Sequence, residues 1–138
     1  MSAAASDVLG VLEESRLREK AQTLFYRALA ARAAAAADAD TTERLNDLHA
    51  DEQHHLARLT ARLLELGHHP RDLSGVAAPG GDLDGWEADA HGREAEEVRW
   101  YEAATQLPLD APTAALIAEI VESERHHARE LRGKWMSA

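Results

Sequence analysis

The chain has no cysteine and few aromatics: three tryptophans, two tyrosines and one phenylalanine in 138 residues. Without a thiol, a disulfide framework, an iron–sulfur cluster, a thiolate-bound iron site and a cysteine nucleophile are all excluded. Glycine (8) and proline (4) are scarce and gather mostly in two short stretches. A composition led by alanine, leucine, glutamate and arginine then points to an all-α fold. Positive charge is short too: 15 lysines and arginines stand against 25 acidic residues, a net charge of −10. No basic patch is visible, which argues against nucleic acid as a partner. No apolar run approaches the roughly 20 residues that a membrane span requires. The start, "MSAAASDVLG", lacks the basic and apolar regions of a secretory signal. The expectation is a cytoplasmic protein of one domain, residues 1–138, with no membrane partner.

Apolar periodicity divides the chain into four helices. The first is expected from a cap at Ser6 or Asp7 to about residue 37. "DADTT" interrupts it, and Asp40 with Glu43 suggests a capping box for the second. That helix carries leucines 45, 48, 56, 59, 63 and 66 and stops at Gly67. Residues 67–84, "GHHPRDLSGVAAPGGDLD", are rich in turn formers and without period. Asp84 with Glu87 is expected to open a third helix, to about Gln106. Asp110 caps the fourth, with Pro112 in its first turn, and that helix runs to about Lys134. Two short connections flank one long one, so the architecture reads as two helical hairpins joined by a crossover. Fully extended, that crossover reaches roughly 60 Å, enough to run the length of a bundle and set the second and third helices parallel; an Ω-loop or a mobile lid is the alternative reading of the segment.

The chemistry lies in Glu-x-x-His pairs. The chain has three of them, Glu52/His55, Glu65/His68 and Glu124/His127, where chance predicts about one. Glu65/His68 sits at a helix end beside Gly67 and reads as coincidence. The other two fall on apolar stripes: Leu45, Leu48, Glu52, His55, Leu59, Leu63, Leu66 on the second helix, and Thr113, Ile117, Ile120, Glu124, His127, Leu131 on the fourth. In both, the polar pair faces the core. For one helix alone, a buried ion pair explains this as well as a ligand set does.

The other two helices alter that balance. "REKAQTLFYRALA" (18–30) aligns with "REAEEVRWYEAAT" (93–105), placing Glu19 on Glu94 and Tyr26 on Tyr101. Glu52 and His55 align with Glu124 and His127 in the same way. The chain reads as two copies of one hairpin. Four carboxylates in one core are costly unless neutralised. Their charge balances two divalent cations, and the two imidazoles add one neutral nitrogen per metal. Mixed carboxylate and imidazole ligation suits iron or manganese.

These residues give the chain a resemblance to the ferritin-like di-iron superfamily, in its rubrerythrin and bacterioferritin branch, over residues 8 to 132. The resemblance implies a ferritin-like four-helix bundle with metal ligands Glu19, Glu52, His55, Glu94, Glu124 and His127. Glu52 and Glu124 would bridge two iron ions, with manganese or a mixed iron–manganese pair as alternatives. Tyr26 and Tyr101 would hydrogen-bond ligand carboxylates, and Asp51 would orient a ligand histidine. Glu97, one turn after Glu94, resembles the additional glutamate of rubrerythrins and is included as a ligand. Gln53 stands where bacterioferritins carry a haem-binding methionine, so haem is not expected. The remaining histidines, His54, His126, His68, His69 and His91, are expected on the surface, in loops or at the rim.

The resemblance implies a non-haem di-iron oxidoreductase, a rubrerythrin-like peroxidase acting on peroxide or dioxygen. An external donor or iron(II) supplies the electrons, and the protein is expected to be a homo-oligomer. Two readings stand beside it at the level of sequence: a ferroxidase or iron-handling protein, and a metal-free helical interaction module. An oxygenase acting on an organic substrate is a further di-iron activity, for which no substrate pocket is readable.

Overall fold

The computed structural model describes residues 3–135, with side chains from 7 to 131. It contains four helices, α1 (Ala3–Ala35), α2 (Ala39–Glu65), α3 (Trp86–Ala104) and α4 (Ala111–Trp135), and no strand among the described residues. Three helix starts differ from expectation. Ser6 and Asp7 lie inside α1, because the preceding alanines are the best helix formers available. The cap of α2 is Asp38, whose carboxylate accepts from the Thr41 N–H at 3.1 Å, leaving Asp40 in the first turn. Helix α3 begins at Trp86, one residue beyond Gly85 at φ +73°, so Asp84 lies too far upstream to cap it. Asp110 does cap α4, accepting from Thr113 N–H at 3.3 Å.

The chain forms two compact units. One is Glu13–Trp86: most of α1, all of α2 and the crossover. The other joins the start of α1, through Leu12, to the chain from Glu87 onward, which carries α3 and α4. Each unit thus holds one helical hairpin.

In the first, α2 buries Leu45, Leu48, Glu52, His55, Leu59 and Leu63, the stripe that its 3–4 spacing dictates; Leu66, expected to continue it, is the C-cap and is exposed. Helix α1 answers with Phe25, Tyr26, Leu29 and Ala33. A polar cluster pins the crossover to this hairpin. Buried Arg16 donates to Glu13 Oε1 (2.8 Å), Thr60 Oγ1 (2.9 Å) and the Arg71 carbonyl (3.1 Å). Glu13 Oε2 accepts from the Arg71 N–H (3.0 Å) and meets His68 Nε2 at 3.3 Å. His68 therefore belongs to Glu13 rather than to Glu65, which pairs with Arg62 at 3.4 Å. Farther along, Arg32 donates to the Gly81 carbonyl, and Arg44 lies 5.1 Å over the buried Trp86 ring, a cation–π contact.

The second unit buries Val8, Val11 and Leu12 from α1, Ala90, Tyr101 and Ala104 from α3, and Leu116, Ile117, Ile120, Val121 and Leu131 from α4. On its surface Arg125 joins the two helices, at 2.9 Å to Glu122 and 3.0 Å to Glu102.

Helices α1 and α2 end in the same way. Asp38 N–H bonds to Ala33 O and Ala37 N–H to Ala34 O, both at 3.0 Å; His68 N–H and Gly67 N–H repeat the pattern at 3.0 Å to Leu63 and Leu64. Both are Schellman motifs, which need a left-handed residue. The second uses Gly67 (φ +75°) and the first uses Ala37 (φ +59°). A Cβ is strained in that conformation. Ala37→Gly is expected to stabilise the fold by about 0.5–1 kcal/mol, and Gly67→Ala to cost about 1 kcal/mol. Urea unfolding of the two variants checks both signs. A Cβ on Gly67 would meet nothing within 4 Å, so its cost is one of backbone conformation alone.

Candidate metal centre

Each unit buries two glutamates and a histidine together. In the α1–α2 hairpin these are Glu19, Glu52 and His55. Both carboxylates are fully buried, and His55 Nδ1 lies 3.6 Å from Glu19 Oε1 and 3.7 Å from Glu52 Oε1. In the α3–α4 hairpin they are Glu94, Glu124 and His127. Here His127 Nδ1 lies 3.7 Å from Glu94 Oε1 and 3.3 Å from Glu124 Oε1. Within each trio the ligand atoms are all within 4.8 Å of one another.

Helix periodicity builds both trios. On α2 and α4 the Glu-x-x-His spacing sets both side chains on one face, continuous with Leu45 and Leu59 or with Ile120 and Leu131. On α1 and α3 the single glutamates lie on the buried faces that also carry Tyr26 and Tyr101. Each hairpin thereby brings one carboxylate up to a carboxylate–imidazole pair.

The spacings suit an ion better than direct hydrogen bonding. Good N–H···O bonds lie at about 2.7–3.2 Å, shorter than all four contacts. Donors about 2.1 Å from a shared cation stand roughly 3.0–4.2 Å apart, depending on coordination angle. The donors are oxygen and imidazole nitrogen only, as iron or manganese prefer. The residues present fit such a metal.

Electrostatics agree at His127. Burial opposes its protonation, but the facing carboxylates of Glu124 and Glu94 outweigh it and push the imidazole up to about 11. Without metal its pairing adds stability that is full below its ordinary 6.5 and fades as pH rises from there through about 11. A metal must displace that proton. Divalent metal binding at pH 7 is therefore expected to release at least one proton, and affinity to rise with pH below 11. Calorimetry in buffers of different ionisation enthalpy measures the release; a buffer-independent enthalpy would contradict it.

The other expected site residues divide. Tyr26 and Tyr101 are fully buried, each seven residues beyond its glutamate. Glu97 is buried, at 7% exposure, but its carboxylate stands outside the trio formed by Glu94, Glu124 and His127. His54 and His126 are exposed, and His126 pairs with Glu130 at 2.8 Å. Asp51 is exposed. Gln22, fully enclosed on α1, was not singled out by sequence reasoning. The signal was available, because the alignment that sets Glu19 on Glu94 also sets Gln22 on Glu97.

No family model matches the chain, and no curated protein matches it. Among solved structures it is similar to the bacterioferritin of Desulfovibrio desulfuricans, with a TM-score of 0.84. The likeness covers 92% of this chain and 77% of that one. The chain has the bacterioferritin fold. It is thus an all-α, ferritin-like four-helix protein, as the hairpin–crossover–hairpin pattern led one to expect. Identity is 19%, so the likeness speaks for the fold. That bacterioferritin was described with its di-iron site in different catalytic states. Among the described residues no helix of this chain is long and apolar enough to cross a membrane.

Proposed function

We propose that this protein is a ferroxidase, taking iron(II) as substrate and dioxygen as oxidant at a dinuclear carboxylate centre. The observation that carries the reading is the pair of buried Glu/Glu/His trios, one per hairpin, in a chain of bacterioferritin fold. Glu19, Glu52 and His55 would hold one iron, and Glu94, Glu124 and His127 the other. Each iron(II) gives up one electron, and dioxygen takes both with two protons to leave as hydrogen peroxide.

The chain's own groups supply what this reaction needs. The carboxylates offset the cations' charge where water is excluded, and this stabilises the iron(III) state more than iron(II). His127 yields its proton as metal enters. Tyr26 and Tyr101, both fully buried, would hydrogen-bond ligand carboxylates. A rubrerythrin-like peroxidase is the second reading, favoured by the burial of Glu97. Ferroxidase stands first because Glu97 lies outside the trio.

Turnover separates these readings. A ferroxidase oxidises many equivalents of iron(II) per chain in air, with oxygen consumed in step, and peroxide with an external reductant sustains little turnover. The reverse pattern, peroxide consumption with a single round of iron oxidation, would favour the peroxidase. A metal-free interaction module would show neither.

A further inference from the structure

A hydrogen bond between side chains ties α1 to α2 close to the Glu19/Glu52/His55 trio. Arg16 Nε donates to Thr60 Oγ1 at 2.9 Å. Both partners are held in place. Arg16 Nη1 donates to Glu13 Oε1 (2.8 Å) and to the Arg71 carbonyl (3.1 Å), which orients the planar guanidinium. The Thr60 hydroxyl donates to the Leu56 carbonyl at 2.9 Å and so turns a lone pair toward Arg16. Arg16 stands three residues before Glu19 on α1, and Thr60 five residues beyond His55 on α2. At about 1.5 Å of rise per residue, that is roughly 4.5 Å and 7.5 Å along the two helix axes.

The trio does not set this helix separation for itself. His55 Nδ1 stands 3.6 Å from Glu19 across the helix pair and 3.7 Å from Glu52 on its own helix. Both contacts are longer than good hydrogen bonds, and two carboxylates facing one imidazole repel each other.

We infer that Arg16 and Thr60 are positioning residues for the α1–α2 metal position, their bond holding Glu19 on α1 at the distance from Glu52 and His55 on α2 that an ion requires. The inference rests on the dinuclear reading above and concerns its α1–α2 half alone. Ligands held in place beforehand lose little freedom when the ion binds, and affinity gains by that much. The charge of Arg16 is answered by Glu13 at 2.8 Å, so the link acts through the placement of α1 rather than through its field.

Anaerobic cobalt(II) titration of full-length wild type, Thr60→Val and Thr60→Ser, followed by visible absorption, tests this. Valine keeps the branched shape of threonine and removes both of its hydrogen bonds, whereas serine keeps the hydroxyl. Thr60→Val is expected to bind one of its two ions about tenfold more weakly than wild type, and Thr60→Ser to match wild type for both. Binding survives in each; what changes is affinity. Thermal melts with and without cobalt(II) separate positioning from plain stability. A bond of structural value only lowers the metal-free and loaded proteins alike, while a positioning bond costs the loaded protein more. Circular dichroism establishes that each variant is folded. Wild-type affinity for both ions in Thr60→Val, or a Thr60→Ser as weak as Thr60→Val, overturns the inference alone. No cobalt binding by the wild type would remove the centre itself, and the inference with it.

Discussion

Replacing Glu52 with glutamine is expected to remove most of the protein's stabilisation by metal while leaving the apoprotein as stable as wild type or more so. Glu52 and Glu19 are both fully enclosed around a single imidazole, His55. Even with that imidazole protonated, the trio carries an excess negative charge in a medium that solvates it poorly. Glutamine keeps the shape and removes the charge. A gain of about 1–3 kcal/mol in the apoprotein is expected, because burying a charge costs several kcal/mol per ion and two carboxylates share one imidazole, so that glutamine relieves a surplus charge rather than orphaning a partner. Wild type recovers the cost only on binding metal. At a hundredfold excess over Kd, one bound ion adds about 2.7 kcal/mol, and the variant forfeits most of that. Thermal melts of both proteins with and without cobalt(II) measure all four states. A Glu52→Gln apoprotein several kcal/mol less stable than wild type would make Glu52 a structural ion-pair partner, as the metal-free reading holds.

The second large effect lies away from the metal. Glu13→Ala is expected to cost about 3–5 kcal/mol, because it leaves the Arg16 guanidinium buried without its carboxylate. It also deprives the Arg71 N–H of its acceptor, and so loosens the crossover where it leaves α2. Arg16→Met in the same chain is expected to recover much of the loss, since the unpaired charge goes with it. Cobalt(II) binding should survive in both variants. The pH dependence has a definite sign. Burial raises the Glu13 carboxyl, but bonds from Arg16, Arg71 N–H and His68 outweigh it and hold it below its ordinary 4.5. Its contribution is therefore full above about pH 4.5 and fades as pH falls through the lowered value. Urea unfolding at pH 7 and near pH 3 should show the gap between wild type and Glu13→Ala narrowing in acid. An equal gap at both would contradict this assignment.

What the sequence disclosed follows from what is periodic in it. The leucine stripe of α2 announces its buried face, and a glutamate and histidine in register with that stripe must be buried as well. The same argument applied to Glu124 and His127, and the repeat brought in Glu19 and Glu94, which no local pattern marks. The repeat also contained the Gln22/Glu97 difference, but the burial of both side chains is not a local property of these helices. The caps of α2 and α3 were missed by one or two residues. Asp38 and Asp40 offer the same chemistry, and the choice between them depends on Ala37 taking a left-handed conformation usual for glycine. The Glu13–Arg16–Thr60–Arg71 cluster was not legible at all. It joins positions up to 58 residues apart, and each residue taken alone reads as an ordinary polar helix or loop position.

The central claim is that two Glu/Glu/His trios hold two metal ions. Anaerobic titration of the apoprotein with iron(II), followed by elemental analysis of the desalted protein, tests it most directly beside a Glu52→Ala/Glu124→Ala control. The account predicts two iron ions per chain in the wild type and essentially none in the control. Wild type as free of metal as the control would contradict it.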